Sequence, residues 1–575
     1  MENRWLVKTP ALQQQVDKLD SEFRKKKEKN LHPVLLGLLI QRGTETLEQA
    51  MGFFNPRLAD LHDPFLMQDM DMAVARVLEA IEKKEKILIL GDYDVDGTTS
   101  AATMYMFLQS LSADCEYYIP DRYNEGYGIS MKSVEFAAKN NFKVFISLDC
   151  GIKANDKIEF AVEKNIDVII CDHHTPEKIL PPAYAVLDAK RKDCNYPFKE
   201  LSGCGVGFKL IQALLQKMNL PKERAYDYLD LLATSIGADI VSMTGENRIL
   251  ARFGLEKINT RPSAGILAIK ELAKFQKEFS ISDVVFKIAP RINAAGRMAS
   301  GNKAVELLIS QDERNANSIV TEINQYNLER GIKDKSISEE ALALLLADPL
   351  NDQKKTTVLY RPEWHKGVIG IVASRMIDSF YRPTIIFTGK EGVLSGSARS
   401  VKGFSVYEAI EACSDLLLQF GGHMYAAGMT MKEENFLLFQ EAFEKVVSET
   451  IDPELLIPSI DVDYEMPLGE INSNFMNVLK HFAPFGPDNM NPVFKSSGIL
   501  LNSIQQIGED KTHLKLSVFD PERPDRILNA IGFGFGCLIE ELTEGMPFDM
   551  AYTIEENHWN GRVDLQLHIK DIKHP

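Results

Sequence analysis

A chain of 575 residues is too long for one hydrophobic core, so about three to four domains are expected. Its 45% apolar and 26% charged residues are those of an ordinary soluble globular protein, and the net charge of -17 argues against one that coats nucleic acid nonspecifically, though not against a local basic groove. Seven scattered cysteines lack CxxC or zinc-type spacing, MENRWLVKTP has no apolar signal core and Val34 to Ile40 is too short to span a bilayer, so free buried thiols and a cytoplasmic location are expected.

Residues 1–71 read as an N-terminal lead-in, helical and polar at first; its part from Pro33 to about Asp71, with turns at Asn55-Pro56 and Asp63-Pro64, is expected to pack against the first domain. The run Arg24-Lys25-Lys26-Lys27-Glu28-Lys29 reads as a solvated helix face. From Met72 to about Ile240, short apolar strands alternate with helical stretches. The strands are Ile87 to Gly91, Glu116 to Ile119, Val144 to Leu148, Asp167 to Cys171 and Ala185 to Leu187. This βαβ rhythm predicts a mostly parallel sheet.

Three of those strands end in metal-type ligands. Gly91-Asp92-Tyr93-Asp94-Val95-Asp96-Gly97 closes the first, Ser147-Leu148-Asp149-Cys150-Gly151 the third and Cys171-Asp172-His173-His174 the fourth. Each alone has a bland account, because an Asp after a strand is often a helix N-cap and Asp-His-His is often a polar loop. A parallel sheet nevertheless delivers all three to one edge, where ligands bind. Clustered carboxylates there repel one another unless a cation neutralises them. Asp239, in Ser235-Ile236-Gly237-Ala238-Asp239-Ile240-Val241, sits among apolar residues and is a further ligand candidate.

The ordered set GDYDVDG, SLDCG, DHH and GADIV resembles the catalytic motifs of the DHH phosphoesterase superfamily, and from Leu35 to the C-terminus the chain is similar to its single-stranded-DNA exonuclease branch. The resemblance implies an α/β fold: a parallel-sheet DHH domain (72–301), a connecting helix (302–353), a smaller α/β DHH-associated domain (354–452) and a C-terminal OB-fold β-barrel (453–575). It implies two divalent cations, Mn²⁺ or Mg²⁺, held by Asp94, Asp96, Asp149, His173 and Asp239. Asp92 is either a ligand or a support, since many superfamily members carry a His where this chain has Leu90. Asp172 and His174 are implied as catalytic or substrate-contacting groups.

Beyond the first domain, Ala289-Pro290-Arg291-Ile292-Asn293-Ala294-Ala295-Gly296-Arg297-Met298 sets Arg291, Asn293 and Arg297 among small residues. Either these grip phosphates or the arginines pair with surface acids. Leu307, Leu308, Ile319, Val320, Ile323 and Leu328 keep helical spacing over about 302–348. Between Asp352 and Lys402, nine Lys/Arg face four Asp/Glu, so the acidic whole hides a basic module. Strands are expected there at Thr356 to Tyr360 and Thr384 to Phe387. Ser395-Gly396-Ser397-Ala398-Arg399-Ser400 reads as a flexible turn, and Gly421-Gly422-His423-Met424-Tyr425-Ala426-Ala427-Gly428 offers glycine backbone to an anion. The resemblance makes the latter a substrate-domain signature, adds His365 as a contributor and implies a 5′-phosphate pocket of Arg122, Ser397 and Arg399.

After a linker at Pro453 to Pro458, six short alternating strands suggest a small barrel. Pro484-Phe485-Gly486-Pro487-Asp488-Asn489-Met490-Asn491-Pro492 resembles the loop that precedes the barrel in this branch. The implied activity is 5′-to-3′ hydrolysis of single-stranded DNA in repair and recombination, by a monomer with a single-strand-binding protein and a helicase as partners. The rivals are a phosphodiesterase of short oligonucleotides or cyclic dinucleotides, and a non-catalytic nucleic-acid scaffold.

Overall fold

The computed structural model describes residues 3–26, 31–275, 277–543, 545–559 and 562–574, so Lys27, Glu28 and Lys29 of the lysine-rich run lie outside the described residues. The chain forms two compact units. The larger comprises Trp5–Gly296, Ser300–Thr321 and Asp461–Pro575, and the smaller is built chiefly of Glu322–Ile460 with Arg297–Ala299.

In the larger unit, β1 (Lys86–Gly91), β2 (Cys115–Tyr118), β3 (Phe142–Leu148), β4 (Asp167–Cys171) and β5 (Ala185–Leu187) form a wholly parallel sheet in the order β2-β1-β3-β4-β5. Such a sheet is covered on both faces, which is why Ile87 to Leu90 is a continuous apolar run with no exposure. Leu88, Leu90, Phe145 and Ile170 pack against Val134, Ala137, Ile158 and Ala161 of the crossover helices. After β1 comes α1 (Val95–Ser110), and farther on α2 (Gly203–Lys217) and α3 (Leu229–Ala238). Strand order reverses between β1 and β3, which leaves a crevice at their carboxyl ends. The expected strands are all present, with ends within two residues.

Ala289–Met298, with its two arginines, is a helix, α4. Its small residues serve close approach: a Cβ on Gly296 would lie 2.4 Å from the Tyr93 carbonyl oxygen. The long helix expected over 302–348 is two helices, Gly301–Leu308 and α5 (Glu313–Ala347). Ile309 ends the first, and Ser310-Gln311-Asp312 breaks the run, with Asp312 Oδ2 accepting from Asn315 N–H.

The smaller unit contains β6 (Thr357–Tyr360), α6 (Ile369–Ser379), β7 (Thr384–Lys390), β8 (Val393–Arg399), β9 (Gln419–His423) and β10 (Ala426–Lys432), in the sheet order β9-β10-β8-β7-β6. The flexible turn expected at Ser395–Ser400 is instead mostly the central strand β8. Its small residues allow close packing rather than a bend, since a Cβ on Gly396 would meet the Phe387 ring at 2.3 Å. Likewise the glycine-rich stretch at 421–428 is a hairpin pairing Gly421 with Gly428 and His423 with Ala426.

The barrel belongs to the larger unit: β11 (Phe494–Ile507), β12 (His513–Asp520), β13 (Arg523–Gly532), β14 (Phe548–Trp559) and β15 (Arg562–Lys573) run in the order β11-β12-β13-β15-β14, and β11 pairs with β14 to close it. Residues 33–50 depart from the expected packing against the first domain. Val16, Leu19, Phe23, Leu35, Leu38 and Leu39 bury in one core with barrel residues Phe494, Leu516, Tyr552 and Leu567. Only the later lead-in meets the first domain, where the His62 carbonyl accepts from buried Lys209. The loop at 484–492 is likewise tied into this unit by hydrogen bonds. Asn489 donates to the Phe482 and Pro484 carbonyls, and the Pro487 carbonyl accepts from Met243 N–H at 2.7 Å.

Candidate metal centre and substrate surface

The acidic loop after β1 is folded by a pair of glycines. A Cβ on Gly91 would lie 2.1 Å from the Gly97 carbonyl oxygen, and one on Gly97 would lie 2.3 Å from the Asp92 nitrogen. Only hydrogen fits at either place, so the chain doubles back and begins α1 at once. Asp94 caps that helix, its Oδ1 accepting from Gly97 N–H at 3.0 Å. Asp96 points at the start of α2, where its carboxylate accepts from Gly203 and Cys204 N–H at 2.7 and 2.8 Å and from the Ser235 hydroxyl at 2.7 Å. Helix N-termini favour such negative charge. Asp92 is buried and accepts from Gly128 N–H at 3.0 Å through Oδ1.

The ends of β3 and β4 and of α3 bring the other predicted groups to the same place. His173 Nε2 lies 3.1 Å from Asp149 Oδ1, 3.5 Å from Asp239 Oδ2 and 3.9 Å from Asp96 Oδ2. Ligand atoms of Asp96, His173 and Asp239 lie within 4.8 Å of one another, as do those of Asp149, His173 and His174. Asp149 adopts a left-handed backbone, with φ 62°, and the absence of a side chain on Gly203 makes room for it: a Cβ there would lie 2.5 Å from that of Asp149. Ile240, directly after Asp239, also has a positive φ of 58° although it is β-branched.

These groups fit a cation. Asp149 Oδ1, Asp92 Oδ2 and both His173 ring nitrogens are buried without a hydrogen-bond partner. Buried carboxylate oxygens and an imidazole lone pair left without a donor are costly unless positive charge stands among them. The protonation of the metal-free site says the same. Burial, reinforced by the neighbouring carboxylates, pushes Asp149 well above the carboxylate range and Asp239 up to about 8; burial and the Asp94 charge do so for Asp92. Burial lowers His173, which is therefore a neutral imidazole with a lone pair to offer. Oxygen ligands with one imidazole suit Mn²⁺ or Mg²⁺.

Asp172 faces away from that cluster and holds the turn. Its Oδ1 accepts from His173 N–H and from His174 Nδ1, both at 2.7 Å, and its Oδ2 accepts from Ile152 N–H at 3.0 Å. Although burial opposes it, the His174 hydrogen bond and the two imidazoles keep Asp172 below the usual carboxylate range. His174 is raised: burial opposes protonation, but the Asp172 carboxylate outweighs it. Tyr127 donates to the Asp149 carbonyl at 2.8 Å and stands 3.5 Å from His174 Nε2. The Arg122 guanidinium lies 4.8 Å above the Tyr93 ring.

The smaller unit assembles a separate polar group. A Cβ on Gly370, in the first turn of α6, would lie 2.8 Å from Ser397 Oγ and 3.0 Å from an Arg399 nitrogen, so serine and guanidinium crowd a helix N-terminus. Arg297 donates to the Gly367 carbonyl at 3.0 Å, and His365 Nδ1 accepts from Gly367 N–H at 3.1 Å. Gly421, Gly422 and His423 are exposed on the edge strand β9. In the larger unit, Arg291 donates to the Lys287 carbonyl one turn back on the helix, and Asn293 is half-buried.

Three groups escaped the sequence reading. Gly203 and Ser235 hold Asp96, and the glycine-rich Ser202-Gly203-Cys204-Gly205 at a helix start was the available signal. Asp188, at the end of β5, is fully buried and raised to about 7 by burial. It followed the predicted strand in the same way as the recognised acids.

Known proteins resemble the chain over most of its length. The family model described as "DHH family, N-terminal domain" matches residues 86–236, "DHHA1 domain" matches 353–449 and "RecJ OB domain" matches 462–571. The single-stranded-DNA-specific exonuclease RecJ of Bacillus subtilis is 37% identical over 574 residues, which cover 99% of this chain and 70% of that protein. Crystal structures of Thermus thermophilus RecJ with Mn²⁺ and with Mg²⁺ superpose with TM-scores of 0.84 and 0.77. They are 28% and 27% identical and cover 100% of this chain and 80% and 78% of theirs. The chain belongs to the RecJ family, whose matched members bear the name single-stranded-DNA-specific exonuclease.

Proposed function

We propose that the protein is a metal-dependent exonuclease that hydrolyses phosphodiester bonds of single-stranded DNA from the 5′ end, in DNA repair and recombination. The observation that carries this reading is the set of unpartnered buried acceptors around His173, at the sheet edge of a chain with whole-length likeness to RecJ exonucleases.

Asp94, Asp96, Asp149, His173 and Asp239 would hold two divalent cations, Mn²⁺ or Mg²⁺, with Asp92 supporting the loop through Gly128. When bound, such ions acidify a water and neutralise charge on the phosphate oxygens. The remaining steps belong to the chain. His174, oriented through Nδ1 by Asp172, holds a proton at Nε2 for the leaving oxygen or for orienting the phosphate. The Asp172 carboxylate favours the charged form of that imidazole, and the Tyr127 ring packs beside it. Ser397, Arg399 and the start of α6 supply donors for a terminal phosphate, and in the larger unit Arg122 is a further cation suited to phosphate. Arg291 and Asn293 of the larger unit, and Arg297, His365 and the β9 backbone at Gly421, Gly422 and His423 of the smaller, would each serve as contacts to the strand. The barrel holds more of the strand, and a small substrate would not need it. Single-strand-binding protein and a helicase are the matching cellular partners of a cytoplasmic monomer.

One digestion tests the reading. End-labelled single-stranded and duplex DNA are incubated with Mn²⁺ or EDTA. The expected result is stepwise loss of single strands from the 5′ end with Mn²⁺ only. Cleavage confined to dinucleotides, or none with Mn²⁺, refutes it.

A further inference from the structure

The outer face of the barrel carries an aromatic cluster that no comparison assigns. Phe533 follows β13 and is 59% exposed, an unfavourable place for a bare ring. Two imidazoles frame it edge-on: His513 at 5.2 Å and 74°, and His568 at 6.0 Å and 61°. His513 is fixed by accepting Gly534 N–H at Nδ1, at 3.1 Å. His568 Nε2 lies 3.5 Å from Glu555.

Lysines share these strand faces. Lys515 pairs in register with Ile531, which pairs with His568, so the three share one row across β12, β13 and β15. Lys515 and Lys570 are exposed, and Lys570 and Lys277 both act on the charge of His568. Asn529 and Ile527, two and four residues before Ile531 and so on its face of β13, are exposed as well. An exposed ring with fixed orientation, beside apolar and amide side chains and flanked by lysines, suits an unpaired base with its phosphates. The face lies on the second and third barrel strands, where OB-folds bind oligonucleotides.

We propose that Phe533, braced by His513 and His568, is a stacking platform for an unpaired nucleobase, and that Lys515, Lys570 and Lys277 receive the adjoining phosphates. This rests on the reading that the protein acts on single-stranded DNA, and it names the base-binding residue of the barrel.

The test uses the full chain with Mn²⁺ and a fluorescent phosphorothioate (dT)20 that resists hydrolysis. Fluorescence anisotropy gives the affinity. Phe533→Ala should weaken binding about tenfold and Phe533→Trp should keep it within about threefold. Phe286→Ala removes an equally bare ring, 75% exposed on the helical segment Val284–Ile288 outside the barrel strands, and should leave affinity within about twofold. If Phe533→Ala lowers the melting temperature, Phe533→Leu, which keeps the apolar contact but loses the aromatic face, takes its place with the same expected loss. Unchanged affinity in the folded Phe533 variant, or equal weakening by Phe286→Ala, overturns the proposal. Wild-type digestion of unmodified single strands separates the two readings. If that digestion fails while Phe533→Ala still weakens binding, the nuclease reading falls and the platform stands.

Discussion

The acidic edge of the parallel sheet and the polar group of the smaller unit are built on opposite plans. At the first, buried carboxylates on strand ends face one another with acceptors left over. At the second, Ser397 and Arg399 lie on a central strand, and Gly421 to His423 lie exposed on an edge. One arrangement is incomplete without a cation and the other offers donors to an anion. The difference teaches where each half tolerates change: intolerant at the buried sheet edge, graded and additive in the smaller unit.

The sharpest break of that contrast is Asp149→Ala. It should cut hydrolysis of single-stranded DNA on the order of a thousandfold while far-ultraviolet circular dichroism stays native. A folded variant with normal rate would remove the acidic edge from the chemistry. Arg399→Lys keeps the charge but loses the guanidinium fork, and should raise KM for 5′-phosphorylated over 5′-hydroxyl strands about tenfold. An unchanged preference would show that the smaller unit does not read the terminus. Asp172→Asn frees the His174 ring and should lower kcat by about ten- to a hundredfold, with Mn²⁺ affinity nearly kept.

Proton linkage gives a subtler measure. Asp239 has a metal-free value of about 8, above the unfolded carboxylate range, so the folded apo state holds a proton that the unfolded chain has released. Melting temperature in EDTA should therefore fall as pH rises from about 4 to 8, and Mn²⁺ should restore it most at the alkaline end. The smallest effect is at Ile240. A β-branched residue with φ 58° at a helix end is strained, and glycine is not. Ile240→Gly should raise stability by roughly 1 kcal/mol in denaturant titration, since the side chain it removes is 63% exposed.

Legibility followed the same divide. Strand-end acids were readable because a buried parallel strand is a continuous apolar run, and whatever follows it stands at the crevice. Both features lie within a dozen residues, as in Lys86 to Gly97. Asp96 was found, but its donors Gly203 and Ser235 were not, because they are brought to it from more than a hundred residues away. In the smaller unit, Ser395 to Arg399 misled because small residues serve turns and tightly packed strands alike, and only the Phe387 ring over Gly396 distinguishes them. The lead-in misled for a similar reason: apolar Val34 to Ile40 requires burial but does not say against which part of the chain.

That shared core has a consequence for synthesis. The helix Pro33–Gln41 is buried along nearly its whole length, and its partners include barrel residues beyond Met466. A ribosome adding 5–20 residues per second emits the first apolar face on the order of half a minute before its cover exists. For that interval the nascent chain carries an uncovered leucine-rich surface. A chain truncated ahead of the barrel would carry it permanently, and so present a surface that chaperones and proteases bind.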